Sequence, residues 1–485
     1  MSLAKGAARG AAWNFLTVLA ERSFGFVILG LLLRVIPASV VGLIAIASAI
    51  SDLARIVANT GAGEQVQASP GDKQVEAGAF WSQFLVSLVF MAVLYVAAPY
   101  IAALYAEPDL TLVLRIMGFN VLLTAFVIVP SARLETRFEF RTVGLISLGS
   151  TVSGGLVALP FAFTGHGILA LVYQRVVGVV FYAVVAALAA RWLPPRPPTL
   201  KVVAESLRFS FPLMQAAFVD YISLTGYVML LGLRMPVAAL GQFRIGQRLV
   251  EVLQEIAFMP ARRVFLPVFV AVRHDPERRY ETTRQMVDML MLTFFFVCAV
   301  CGAAAQPIVA LMFGPKWAAA APVFAILTLM TPAVALYGVV NPLLTAAGRT
   351  TLVSHYAWLN AASIVVAAWF GAPFGLLALA GALAGRGVLA VGFFLLAMRQ
   401  GLERPSLPFL HLLVMPALAL ALARLAAWGA LAALPGLPAF GQLLLAGGVA
   451  ALVFGAVALA FSPVRVRSMA TRMYTALRGK TAVAA

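Results

Sequence analysis

The chain has 485 residues, 62% hydrophobic and 11% charged, with 35 Lys and Arg against 18 Asp and Glu and a formal net charge of +17. A soluble domain carries about a quarter charged residues, so this composition excludes one, as does the mean hydropathy of +0.98. Apolar runs of about 20 residues, each enough to cross a bilayer as a helix, recur along the whole length. They are continuous rather than alternating, so helices are expected and not a barrel.

The expected fold class is an all-α polytopic membrane protein of about 14 transmembrane helices. The spans are predicted to start near Ala11, Ser39, Gly78, Leu110, Val143, Gly167, Phe211, Ala238, Val287, Ala319, Ser354, Gly375, Phe409 and Pro438. The first carries Glu21 and Arg22 in its middle, which the apolar stretch of a cleavable signal peptide would not. Asn14 and Thr17 accompany Glu21 there. The second span shows a stripe of Ser48, Asp52, Arg55 and Asn59. Arg115 lies in the fourth span, and Gln174 with Arg175 in the sixth. The seventh offers Asp220, Ser223 and Tyr227.

The eighth span is the most charged. In "GQFRIGQRLVEVLQEIAF", Arg244, Arg248, Glu251 and Glu255 step by four, three and four, so they form one helix stripe, flanked by Gln247 and Gln254. A charge at a helix centre costs about 2.5–3.5 kcal/mol on the insertion scale, while Leu, Ile or Val returns only about 0.3–0.6 kcal/mol. These charges are therefore expected to face protein or water. In the ninth span Cys298 and Cys301 form a CxxC. With no His or acidic partner nearby, they read as small buried residues rather than a redox or zinc pair. Arg386, in "GALAGRG" of the twelfth span, reads as part of a small-residue packing face with Gly381 and Gly385. Arg424, in the thirteenth, is a weaker cavity candidate.

With these spans, twenty-four Lys and Arg fall on the side holding both termini, and only Arg34, Arg234 and Lys316 on the other. That asymmetry places both termini in the cytoplasm. It also assigns the basic excess to topology and anionic lipid, not to nucleic acid. External connections such as "GAPFG" are too short to build an enzyme site.

An internal repeat runs through the chain at an offset of 199: Glu21 matches Asp220, Pro37 matches Pro236, Gly42 matches Gly241 and Asp52 matches Glu251. The expected organisation is an N-terminal lobe (1–200, spans one to six), a C-terminal lobe (201–405, spans seven to twelve), two extra spans (406–462) and a basic cytoplasmic tail (463–485). The two six-helix lobes are then pseudo-symmetric, with a polar substrate site between them near the midplane. Within the spans, eight arginines face five acids and no lysine is present. Arginine grips phosphate bidentately and stays charged when buried, so such a cavity suits an anionic head group, a diphosphate especially.

Several stretches together resemble the polysaccharide-transporter branch of the multidrug/oligosaccharidyl-lipid/polysaccharide (MOP) flippase superfamily. They are "LLLRVIPASVVGLIAIASAISDLARIVANTG", "ARLETRFEFRTVGLIS", "RHDPERRY" and, most specifically, "PIVALMFGPKWAAAAPVFAILTL" with Gly314, Pro315, Lys316 and Trp317. The resemblance runs from about Ala11 to Arg404. It implies a two-lobed bundle in the bacterial inner membrane that alternates between inward and outward access. The implied cargo is lipid-linked oligosaccharide on undecaprenyl diphosphate, moved for polysaccharide export under a proton or sodium gradient, with no other cofactor. Partners would be the lipid-linked oligosaccharide, membrane lipids, and polysaccharide polymerase and export machinery.

Charge and spacing then assign the head group to Arg115, Arg175, Arg244, Arg248, Gln174 and Gln247. Ion coupling falls to Glu21, Asp52, Asp220 and Glu251. No catalytic residue or metal ligand is expected. The alternatives left open are a MOP-type exporter of peptidoglycan lipid precursor or drug, a membrane polymerase or ligase, and a membrane scaffold.

Overall fold

A computed structural model describes residues 3–59 and 61–461, all helical or connecting, with no strand among them. The first helices are α1 (Leu3–Val35), α2 (Ala38–Ala58), the short α3 (Ala62–Ala68) and α4 (Lys73–Leu104). Then come α5 (Asp109–Leu123), broken at Thr124 from α6 (Ala125–Thr136), followed by α7 (Phe140–Phe163) and α8 (Gly167–Ala189). Helix α9 (Leu200–Tyr221) runs through a π-helical turn, Ile222–Gly226, into α10 (Tyr227–Gly232). The chain continues with α11 (Val237–Ala271), α12 (Pro276–Ala303), α13 (Ala305–Phe313) and α14 (Ala320–Leu327), which passes through a 3-10 turn, Thr328–Met330, into α15 (Thr331–Ala346). The last four are α16 (Thr350–Gly371), α17 (Leu376–Leu402), α18 (Leu410–Ala433) and α19 (Ala439–Phe461).

Among the described residues, eleven helical stretches are long and apolar enough to cross a membrane. Each of the fourteen expected start positions lies in, or one residue before, a long helical stretch. The first, seventh and eighth, α1, α9–α10 and α11, are outside the eleven. In α11 the reason is composition, since four charges fall within twelve residues of its middle.

Local chemistry sets the boundaries. Asp72 caps α4 by accepting from the Gln74 and Val75 amides at 2.8 and 3.2 Å, and Asp275 caps α12 with Pro276 in its first turn, both standard uses of Asp. Between α13 and α14, Gly314 sits at φ 91°, a conformation open to glycine. The turn that follows buries Trp317 completely, and burial lowers the Lys316 amine below its ordinary pKa.

The chain divides into two compact units, Met1–Gly241 and Gln242–Ala485. The division expected after residue 200 falls inside the first unit, because α9 and α10 pack on α2, α3 and α4. Ser206 Oγ donates to Gln65 Oε1 at 2.7 Å and Gln65 Nε2 donates back to the Ser206 carbonyl at 3.0 Å. Tyr105 Oη donates to the Met229 carbonyl at 2.8 Å, and Tyr221 Oη to that of Ala49. The expected basic tail, 463–485, lies outside the described residues.

One contact in the first unit bears on the repeat. Helices α2 and α11 each start one residue after a matched proline, Pro37 and Pro236. A Cβ on Gly42 would lie 1.9 Å from the Val237 carbonyl oxygen, and one on Gly241 would lie 2.0 Å from that of Ala38. Ala38 and Val237 are themselves 199 apart, so the same contact is made twice with the roles exchanged. Reciprocity of this kind is what a local two-fold axis produces.

The first unit's core is aromatic: Phe80 meets Trp81, Phe126 and Trp192 edge to face. In the second unit, α12, α18 and α19 pack through small residues, including Ala299, Ala419, Ala423, Ala446 and Ala450. Such residues let membrane helices approach closely.

Candidate functional site

Asp52, in the fifth turn of α2, holds two guanidinium groups. Arg55 Nε donates to its Oδ1 at 3.3 Å, and Arg175 Nη1 on α8 lies 3.5 Å from its Oδ2. The side chains are 28%, 46% and 42% exposed for Asp52, Arg55 and Arg175. At a partly wet site a pair this close gains about 4 kcal/mol of gross Coulomb energy, much of it offset by desolvation. One carboxylate against two cations leaves the cluster with one net positive charge. That charge, with half-exposed donors, is what an anion requires. Gln174, beside Arg175, is half-buried. Its backbone carbonyl is approached by α7 at Gly154, where a Cβ would come within 2.3 Å.

The other first-unit candidates are held separately. Glu21 accepts from Ser147 Oγ on α7 at 2.8 Å. The Arg115 guanidinium lies over the Tyr95 ring, 4.6 Å from its centroid, a cation–π contact, and its buried Nε has no hydrogen-bond partner. Asp220 is helical, but its side chain lies outside the described residues.

In the second unit the α11 stripe pairs along its own helix. Arg244 Nη1 donates to Gln247 Oε1 at 2.9 Å and to Glu251 Oε1 at 3.4 Å. Arg248 Nη1 donates to Glu251 Oε2 at 3.0 Å and lies 3.7 Å from Glu255 Oε1. Two cations and two carboxylates cancel, which removes most of the penalty of placing four charges in one apolar chain segment. The side chains remain about a quarter to a third exposed, so the ladder is not sealed. Gln247 is buried beneath it.

Two arginines singled out in the sequence have other work. Arg386 on α17 donates to Asn360 Oδ1 and Ser363 Oγ on α16 at 2.7 and 3.1 Å. The packing face expected at Gly381 and Gly385 is not formed: a Cβ at either would meet nothing within 4 Å. Close packing on α17 falls instead at Gly387 and Gly401, where a Cβ would come within 3.3 Å of Met330 and 3.0 Å of Leu343. Arg424 donates to the carbonyls of Ala325 and Cys298 at 3.0 and 2.7 Å and to Thr328 Oγ1. Ala325 and Thr328 lie near and at the 3-10 break between α14 and α15, where the helix ladder leaves carbonyls free, and Cys298 lies on α12. Arg424 therefore ties α18 to α12 and α14 and is not a cavity cation. Gly302 leaves room for it, since a Cβ there would overlap the guanidinium. Cys298 and Cys301 are both free thiols, and Cys298 Sγ donates to the Thr328 carbonyl at 3.0 Å.

A buried ion pair went unnoticed in the sequence. Arg133 Nε on α6 donates to Glu76 Oε1 on α4 at 3.0 Å, and the Glu76 side chain is 8% exposed. Helix α4 starts five residues before the apolar run, so Glu76 lies within it. The aspartate cap at Asp72 was the available signal.

Comparison with known proteins settles the family. A family model described as polysaccharide biosynthesis protein matches residues 31–322. The chain belongs to this family. As a member of the polysaccharide biosynthesis protein family, it is 23% identical over 373 residues to the succinoglycan biosynthesis transport protein ExoT of Rhizobium meliloti (strain 1021), covering 76% of this chain and 75% of that one. It is also 23% identical over 377 residues to the teichuronic acid biosynthesis protein TuaB of Bacillus subtilis (strain 168), covering 73% and 76%. Its fold is similar to that of the lipid II flippase MurJ in an inward closed conformation, with TM-score 0.73 and 12% identity over 93% of this chain and 99% of the other. It is similar too to an inward-facing multidrug resistance MATE transporter of the MOP superfamily, with TM-score 0.61 and 12% identity over 80% and 99%. This family member is thus a polytopic membrane protein with a MOP-type transporter fold.

Proposed function

We propose that the protein flips a lipid-linked oligosaccharide, carried on undecaprenyl diphosphate, across the bacterial cytoplasmic membrane for polysaccharide export. Both termini are cytoplasmic in this reading, as the distribution of basic loops requires. All fourteen long helical stretches span, and the 199-residue repeat is a duplication; the exchanged Gly42 and Gly241 contacts support it. The polyprenyl tail stays in lipid, so only the head group needs a polar path.

The observation that carries the site is the Asp52 cluster, with two half-exposed guanidiniums on one carboxylate. Arg175 and Arg55 bind the diphosphate, with Gln174 beside them. Arg244, Arg248 and Gln247 present donors to the sugar while the α11 ladder holds their net charge at zero. Arg115, stacked on Tyr95, contributes least. Glu21, Asp52, Asp220 and Glu251 couple transport to a proton or sodium gradient, because each is an acid in a membrane-embedded stretch and a change in its occupancy alters the local charge balance.

The test is flipping of undecaprenyl-diphosphate oligosaccharide in proteoliposomes, read by enzymatic access to the outer leaflet with and without an imposed gradient. Gradient-stimulated flipping that falls in R175Q and R55Q supports the reading. Flipping at wild-type rate in the double variant would remove the Asp52 cluster from the site, and no flipping by the intact protein would remove the function.

A further inference from the structure

In the second unit, the start of α16 and the end of α17 enclose a pocket of about 500 Å³. Its lining includes three guanidiniums, Arg349, Arg399 and Arg404, one carboxylate, Glu403, and the apolar Leu396 and Pro405. Two of the cations are paired. Arg349 Nη2 donates to Glu403 Oε1 at 2.6 Å. Arg404 Nη1 lies 2.7 Å from Glu277 Oε2, with its guanidinium over the Tyr280 ring at 5.7 Å. Arg279 Nη2 also lies 4.0 Å from Glu403 Oε2, so four guanidiniums face two carboxylates here, and the exposed Arg399 side chain has no ion pair or hydrogen bond among the described residues.

The surroundings favour an anion at this point. Arg349 is the residue before α16, so the pocket opens on the positive end of that helix. The opposing carbonyl end of α17 is covered, as Arg279 Nη2 donates to the Leu402 carbonyl at 3.4 Å. From the pocket an apolar strip leads up α17: Leu396, Phe393 and Leu389 recur at helical spacing and are 53%, 45% and 71% exposed. That strip is about 10 Å long at the helical rise, roughly half an acyl chain.

We infer that this pocket seats the phosphodiester of an anionic glycerophospholipid, with one acyl chain along Leu396, Phe393 and Leu389. Arg399, which faces no carboxylate, can take the negative charge of a phosphodiester, and the neighbouring arginines supply planar donor pairs that fit its oxygens. The seat is separate from the Asp52 and α11 clusters and does not depend on what the protein transports.

The full-length protein in detergent is incubated with equimolar phosphatidylglycerol and phosphatidylcholine, and bound lipid is read by native mass spectrometry. Phosphatidylglycerol should be retained over phosphatidylcholine. R399Q should lower its occupancy roughly fivefold, the worth of one cation near a lipid surface, while R399K should retain it. E403Q, which removes the pocket's carboxylate, should raise occupancy. Because the Arg399 side chain makes no hydrogen bond or ion pair among the described residues, R399Q should melt with the wild type. Equal occupancy in wild type, R399Q and E403Q overturns the proposal. In a parallel arm with undecaprenyl diphosphate, retention of that lipid and not of phosphatidylglycerol, lost in R399Q, overturns the phospholipid assignment.

Discussion

Helices α2 and α11 open alike and then differ. Each follows a proline, meets its counterpart through a glycine in its second turn, and carries an acid ten residues beyond that glycine, Asp52 and Glu251. Yet Asp52 reaches across to Arg175 on α8 as well as to Arg55, while Glu251 accepts from Arg244 and Arg248 of its own helix. A cross-helix cluster with net charge can hold a ligand and report on helix movement. A ladder within one helix moves as a body and is already neutral. Similar spacing in sequence thus yields a cross-helix cluster with net charge in one unit and mainly a compensated stripe in the other.

The largest expected effect probes what the two helices share. Replacing Gly42 or Gly241 by valine drives a Cβ onto a backbone carbonyl at 1.9 or 2.0 Å, and a carbonyl in a helix cannot swing aside as a side chain can. Each change should cost at least about 3 kcal/mol, the upper end of the overpacking range, seen as a lower melting temperature in detergent. Because both push the same two helix starts apart, the double variant should cost less than the sum. Strict additivity, or one tolerated glycine, would show that the two contacts are not equivalent.

The next effects separate the two acids. Glu251→Gln leaves Arg244 and Arg248 without the carboxylate between them. At about one-third exposure the cost should be about 2 kcal/mol, below the 3–5 kcal/mol of a sealed pair. Asp52→Asn, with more exposed partners, should cost about 1 kcal/mol. Salt sharpens the difference: 1 M NaCl should shrink the Asp52 effect more than that of Glu251, as exposed pairs are screened first. Thermal unfolding at two salt concentrations measures both. The opposite ranking would mean that the α11 ladder is the looser of the two.

What could be read beforehand follows from which forces are local. Spans were legible because twenty apolar residues in a row have few other fates. The α11 stripe was legible as a stripe because its partners are three and seven residues apart. Its neutrality was equally readable, yet the arginine excess was counted over the whole chain and so hid the balance within one helix. Asp52–Arg175 and Glu76–Arg133 join residues 123 and 57 apart, and no spacing rule reaches that far. The breaks at Thr124, Ile222–Gly226 and Thr328–Met330 carry no strong signal either, since no proline or glycine pair marks all three. Arg424 follows the same rule: its acceptors, Cys298 on α12 and Ala325 and Thr328 beside the α14–α15 break, lie 96 to 126 residues away. The unit boundary at Gly241 instead of residue 200 reflects packing of α9 on α2 and α4, which the repeat alone does not encode.

The smallest expected change in stability accompanies the most informative change in function. In Arg175→Gln, Asp52 keeps Arg55 at 3.3 Å, and a pair this exposed is worth well under about 1 kcal/mol, so melting should shift by no more than about 0.5 kcal/mol. A charge-assisted bond to a phosphate is worth about 1.5–3 kcal/mol, so affinity for the lipid-linked diphosphate should fall about tenfold to a hundredfold. Arg244→Gln should invert this pattern: it unbalances Glu251 and Gln247, lowers stability by about 1 kcal/mol, and weakens diphosphate binding less. Titrating both variants with undecaprenyl diphosphate, alongside their melting curves, gives two numbers for each cluster. If Arg244→Gln lost affinity and Arg175→Gln lost stability, the binding role would belong to the ladder on α11, and the net charge of the Asp52 cluster would be structural.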